Sequence, residues 1–209
     1  MTTLYFVRHT ESLSNSEGKI SGITDRGVSE NGYVQLERLA QRFRDIPLDR
    51  VFASPLIRTR ATADAVNRYH GLDIAVEPRL IEINIGDWEE SDWWRIKKAG
   101  GELFERWQLY PDLFEAENGD KMSEFYTRAA KAVCDIAAGN DGRAAAIVTH
   151  GCFLRNVFSF MKHRDILALR TQKRFYNTSV SKVLYEPSDG SFTVEYENDV
   201  SHLDGVTIL

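Results

Sequence analysis

The chain has 209 residues, 26 Lys and Arg against 31 Asp and Glu, and a formal net charge of -5. That balance argues against a nucleic-acid binder, which needs a positive field along the phosphate track; no apolar run approaches the roughly 20 residues that span a bilayer, so no membrane partner is expected. The N-terminus lacks the basic, apolar and cleavage-site order of a signal peptide, and Cys134 and Cys152 form no metal-binding pattern. The expectation is a cytoplasmic protein with two free thiols.

The length suits one sizeable core, read as a single domain over residues 1–209 with an insertion at about 90–120. Leu4-Tyr5-Phe6-Val7 predicts a buried strand that ends in Arg8-His9-Thr10-Glu11. Residues 12–26 are polar and glycine-bearing, a loop; Ser29 then predicts an N-cap for a helix whose Leu36, Leu39, Ala40 and Phe43 share a face. Asp49–Ala53 reads as a second strand, and Ser54-Pro55 as the cap of a helix striped by Ala61, Ala65 and Tyr69. Ile74–Val76 predicts a third strand. From Trp93 to Asn118 aromatic and charged residues interrupt the alternation, a helical insertion or lid whose aromatics either cover a pocket or pack among themselves.

Phe125, Ala129, Ala132, Val133 and Ile136 mark the next helix, Gly139 to Gly142 a turn, and Ala144–Val148 a buried strand ending in Thr149-His150-Gly151. Leu154, Val157, Phe158 and Met161 stripe a further helix. Ser179–Tyr185 and Phe192–Tyr196, flanking Pro187-Ser188-Asp189-Gly190, predict a β-hairpin. The alternation favours an α/β fold: a mostly parallel central sheet with helices on both faces, a helical insertion over the site and a C-terminal β-hairpin.

The polar residues at these strand ends are Arg8, His9, Asn15, Ser54, Arg58, Glu82 and His150, a set suited to handling phosphate. A guanidinium binds two phosphate oxygens at once, a histidine can attack phosphorus, and a carboxylic acid can protonate the departing oxygen. Other candidates have plainer readings. Cys152 packs as a small hydrophobe, and Arg60, His70, His163 and His202 are surface residues.

Four ordered segments resemble the histidine phosphatase superfamily, the phosphoglycerate mutase-like group. Arg8-His9-Thr10-Glu11 with Asn15 is similar to R-H-G-E/Q-x-x-x-N, with Thr10 in place of the glycine that permits close backbone approach. Ser54-Pro55-Leu56-Ile57-Arg58-Thr59-Arg60-Ala61-Thr62-Ala63 resembles S-P-L-x-R-A-x-x-T-A; Leu80-Ile81-Glu82 with Gly86, Trp88 and Glu89 resembles the acidic motif, and Val148-Thr149-His150-Gly151 the second histidine motif. The resemblance implies His9 as nucleophile, with Arg8, Arg58 and His150 on the equatorial oxygens. Asn15 and Gly151 also serve the phosphate, and Glu82 acts as general acid and then base. It implies no metal and no cofactor.

Within the family, mutases carry E-R-x-Y-G to hold a substrate carboxylate, whereas this chain has Ile83 and Ile85 after Glu82. The expected function is therefore a phosphomonoesterase acting on a small phosphorylated metabolite through a phosphohistidine. The alternatives are a cofactor-dependent phosphoglycerate mutase and a catalytically weak phosphate-binding regulatory module. A homodimer is among the assemblies the sequence allows.

Overall fold

Alternate side chains of the first strand enter two different cores, Leu4 and Phe6 on one side and Tyr5 and Val7 on the other, as the two-residue period of a strand requires. In the computed structural model, which describes residues 1–208, that strand is β1 (Thr2–Arg8). With β2 (Arg50–Ala53), β3 (Ile74–Val76), β4 (Ala144–Thr149), β5 (Val180–Glu186) and β6 (Ser191–Asp199) it forms one sheet of order β3-β2-β4-β1-β5-β6. The first four members of that order are parallel; β5 runs antiparallel to β1 and pairs with β6 as a hairpin. β4 alternates like β1: Ala145 and Ile147 face the first core, Ala146 and Val148 the second.

The helices are α1 (Leu13–Ser16), α2 (Glu30–Phe43), α3 (Ile57–Asn67), α4 (Trp93–Ala99), α5 (Glu102–Leu109), α6 (Met122–Ala138) and α7 (Gly151–His163). Leu39 and Phe43 of α2 and Ala63 and Val66 of α3 cover the face with Tyr5; Phe125 and Val133 of α6 and Phe153 and Val157 of α7 cover the face with Phe6. None of these helices is long and apolar enough to cross a membrane. β1 and β4 are neighbours, with Arg8 paired in register with Thr149, so the histidine that follows each strand emerges beside the other. The connections from β1 and β4 pass to opposite faces of the sheet, and the crevice at such a switch point is where α/β proteins bind ligands.

Several local expectations are corrected. The segment 12–26 contains α1, a single turn in a capping box: Ser12 Oγ accepts from the Asn15 amide and Asn15 Oδ1 accepts from the Ser12 amide. Ser54-Pro55 does not cap α3, whose N-cap is Leu56 without a side-chain bond; the Ser54 hydroxyl is used elsewhere. Tyr69 lies past the end of α3 and is exposed. The hairpin is longer than expected, because β6 continues to Asp199. His202 is not a surface residue: its ring is half-buried against Arg42 of α2.

Candidate active site

His9 sits where β1 ends, buried and fixed from several sides. Its amide donates to the Thr149 carbonyl at 2.8 Å, and its own carbonyl accepts from Asn177 Nδ2 and the Thr178 amide. Nδ1 lies 2.6 Å from the Thr10 carbonyl, a geometry that places the ring proton on Nδ1 and leaves the Nε2 lone pair for chemistry. Burial, then the Arg58 and Arg8 charges, hold its pKa well below the ordinary value, so the ring is neutral. Thr10 does not crowd the site. Its side chain turns into α2, with Oγ1 donating to the Gly32 carbonyl at 2.7 Å, while its amide donates to Thr62 Oγ1 at 2.9 Å.

His150 is fully buried beside His9, the two ring centroids 5.2 Å apart. Its Nε2 is 2.7 Å from Ser54 Oγ, while Nδ1 is buried without a hydrogen-bond partner. Burial and the Arg58 charge also depress its pKa. Arg58, on the first turn of α3, donates to the carbonyls of Gly22 and Thr24. Arg8 donates to the Phe175 carbonyl, and burial lowers its pKa to about 10, which leaves it charged at neutral pH. Gly151 gives the Arg8 side chain room, since a Cβ there would stand 3.3 Å from Arg8 Nε.

Glu82 faces the N-terminus of α7. Its carboxyl accepts from the Cys152 amide at 2.8 Å and from the Phe153 and Ile83 amides at 3.0 Å. Those three donors favour the anion, yet burial is the larger effect and pushes the pKa up. From α6, Arg128 clamps the backbone that carries it, donating to the carbonyls of Arg79 and Ile81. Cys152 is buried, and burial pushes its thiol pKa up, away from nucleophilic use.

A cavity of about 460 Å³ gathers Arg8, His9, Asn15, Arg58, Glu82 and Gly151 in one wall system. His150 stands behind it in contact with His9 and bonded to Ser54, so these six residues meet the other two at the β1–β4 crevice. The Asn15 amide is oriented by its network: Oδ1 accepts from Ser12 and Asn177, leaving Nδ2 as donor. A wider depression of about 620 Å³ beside α4 contains none of these groups. The aromatics of segment 93–118 divide between the two alternative readings. Trp93 and Trp107 line the cavity, and Trp107 also packs against Trp88 and Phe114.

Sequence reasoning missed Arg155, Arg174 and Asn177. Arg155 carried a readable signal, since it follows Gly151 by four residues on the same face of α7. Arg174 and Asn177 lie in an irregular stretch before β5 with no periodicity to expose them. Among the described residues, no group of three or more His, Cys, Asp or Glu side chains is placed to hold a metal ion.

The sheet order makes this an α/β protein with two histidines at adjacent parallel strand ends. The chain belongs to the histidine phosphatase superfamily (branch 1), whose sequence profile matches residues 4–199, and whose members bind phosphorylated small molecules. It is 31% identical to the "Probable phosphoglycerate mutase GpmB" of Enterobacter sp. (strain 638), over 98% of this chain and 96% of that protein. Bacillus stearothermophilus YhfR superposes with a TM-score of 0.89 at 31% identity, covering 97% of this chain and 99% of that one. A phosphoserine phosphatase from Entamoeba histolytica, solved with 3-phosphoglyceric acid, shares the fold at a TM-score of 0.85 and 22% identity, covering 97% and 100%.

Proposed function

We propose that this chain is a phosphomonoesterase that hydrolyses a small phosphorylated metabolite through a phosphohistidine at His9. The observation that carries the reading is the state of His9: neutral, with Nδ1 tied to the Thr10 carbonyl, so that Nε2 is the nucleophile beside two buried guanidiniums. Nε2 attacks phosphorus as the ester P–O bond breaks. Arg8 and Arg58 take the equatorial oxygens, Asn15 Nδ2 adds a neutral donor, and the Gly151 end of α7 leaves room for the phosphate. With Ser54 donating to His150 Nε2, the otherwise unpartnered Nδ1–H of His150 supplies a further donor.

Glu82, whose pKa burial raises, gives its proton to the leaving alkoxide. The resulting carboxylate then takes a proton from water as the water oxygen attacks phosphorus and the P–N bond breaks. Inorganic phosphate leaves and His9 is regenerated. Every proton and charge in this cycle is handled by side chains of the chain itself.

A mutase is the second reading, favoured by the GpmB relative. Against it, Ile83 and Ile85 stand as buried apolar walls where a carboxylate clamp belongs. The test is steady-state hydrolysis of 4-nitrophenyl phosphate and of alkyl phosphates in the presence of EDTA, with a parallel assay of phosphoglycerate isomerisation. Hydrolysis that persists with chelator, is lost in His9→Ala and leaves acid-labile phosphate on the wild-type protein supports the phosphatase. Isomerisation outrunning hydrolysis overturns it in favour of the mutase, and inactivity on every ester overturns both.

A further inference from the structure

The cavity holds more positive charge than one phosphoryl group uses. Beyond Arg8 and Arg58, it is lined by Arg155 of α7 and by Arg174, which lies between α7 and β5. Elsewhere on the molecule several arginines find carboxylates, Arg26, Arg42, Arg79 and Arg170 among them. Among the described residues, neither Arg155 nor Arg174 does.

Arg155 is held by neutral groups only. Its Nε donates to the Gln172 carbonyl at 3.2 Å and Nη2 to the Leu169 carbonyl at 2.9 Å, which fixes one edge of the guanidinium and leaves Nη1 uncommitted. Arg174 lies over the ring of Trp93, 5.8 Å from its centroid, and so ties its own segment to the insertion at the cavity. The two guanidiniums repel one another, and the Arg174 charge also presses on Arg8. A pocket lined by four guanidiniums and, among the described residues, by the single carboxyl group of Glu82, in a chain whose net charge is -5, is arranged for an anion that arrives with the ligand.

We propose that Arg155 and Arg174 form a second anion subsite, so that the substrate is a phosphomonoester bearing a further carboxylate or phosphate. This assignment rests on the phosphomonoesterase reading and narrows it to acidic esters. Ile83 and Ile85 line the cavity without any charge to offer, so the distal anion is captured from α7 and the segment before β5. Arg155 supplies a pre-oriented donor edge, and Arg174 an exposed charge that closes on the ligand from the rim.

The test uses a homologous series of ω-phosphorylated straight-chain carboxylates, the α,ω-bisphosphates, and the uncharged ω-hydroxy phosphates of equal length. The readout is kcat/KM for each acid divided by kcat/KM for its matched alcohol, within one protein. Wild type is expected to prefer at least one acid or bisphosphate by about tenfold or more, with the difference carried by KM, and the better arm identifies the second anion. Arg174→Met and Arg155→Met are expected to bring that ratio toward unity, whereas Arg38→Met, an exposed charge on α2, keeps it. Arg174 is exposed, so its variant tests the subsite even if Arg155→Met fails to fold.

Hydrolysis of the alcohol phosphates with no acid preference at any length overturns the subsite while leaving the phosphatase intact. If nothing is hydrolysed, the phosphatase reading falls instead. Calorimetric binding of the same compounds to His9→Ala then decides the subsite without turnover: equal affinity for acids and alcohols overturns it, and tighter acids that lose their advantage in Arg174→Met sustain it.

Discussion

At position 10 the chain departs from the family's glycine without loss of the site, because the threonine side chain leaves the crevice and bonds to α2. Thr10 Oγ1 donates to the Gly32 carbonyl and approaches Gln35 Oε1 at 3.2 Å, while only the Thr10 carbonyl, which any residue supplies, serves His9. Thr10→Val keeps the shape and removes the hydroxyl. The expected cost is about 1–2 kcal/mol of unfolding free energy, measured by urea denaturation; no measurable loss would show that the hydroxyl plays no structural part. Glu82 carries a sharper prediction. As a general acid it must be protonated, and its raised pKa places the alkaline fall in kcat at higher pH than an ordinary carboxyl group gives. Glu82→Gln is expected to lower kcat on alkyl phosphates by about 10²–10⁴-fold and to remove that fall. In kcat/KM, which reads transfer to His9 and not the later water step, the loss should be much smaller on 4-nitrophenyl phosphate, whose leaving group departs without a proton. Equal losses on both substrates would overturn the acid role.

Among the elements, strand ends and helix starts do the positioning. The N-terminus of α7 supplies both the His150 turn and the amides that hold Glu82, so one helix start orients two proposed catalytic groups. Arg58 depends on a less obvious element, the loop at 22–24. Its two carbonyl partners, Gly22 and Thr24, belong to backbone that Glu89 gathers by accepting from the amides of Gly22, Ile23 and Thr24 and from Thr24 Oγ1 at 2.7 Å. Glu89→Gln puts an NH2 group against those donors. It is expected to weaken inhibition by inorganic phosphate roughly tenfold and to add little in a double variant with Arg58→Lys, because both changes act on the same guanidinium. Additive losses would detach Glu89 from Arg58. The contrast shows what the sequence made visible. Arg8, His9 and His150 follow apolar runs whose strand character is plain, so their convergence at adjacent parallel strands was legible. The grip of Glu89 on a loop some 65 residues earlier is not, because it depends on backbone amides that carry no side-chain signature. Ser54 was read as a cap from local propensity; tertiary structure redirected its hydroxyl to His150.

Over the whole molecule, the same burial that prepares the site sets its tolerance to acid. His9 and His150 are buried neutral, with pKa values well below the ordinary 6.5, and burial lowers that of His202 to about 4. In the unfolded chain all three take up protons as pH falls through 6.5, while the folded protein does not, so stability is fully present above that value and is lost on acidification toward 4. Glu82 acts in the opposite sense. Its folded pKa lies above the unfolded 4.5, so the folded state binds the extra proton there and gains stability as pH falls through the raised value. Near pH 5.5 the three histidines bind more protons in the unfolded state than in the folded one, and each proton of net difference contributes about 1.36 kcal/mol per pH unit to the slope. Against a typical total of about 5–15 kcal/mol, that slope brings acid unfolding into the range where surface carboxylates are still ionised. Urea midpoints taken between pH 7 and 5 measure it. His202→Gln should flatten the slope by about one proton without touching the crevice, and Glu82→Gln should steepen it. A stability that stays level from pH 7 to 5 would mean that these histidines take up protons in the folded protein, and His9 would then not be the neutral nucleophile proposed for it.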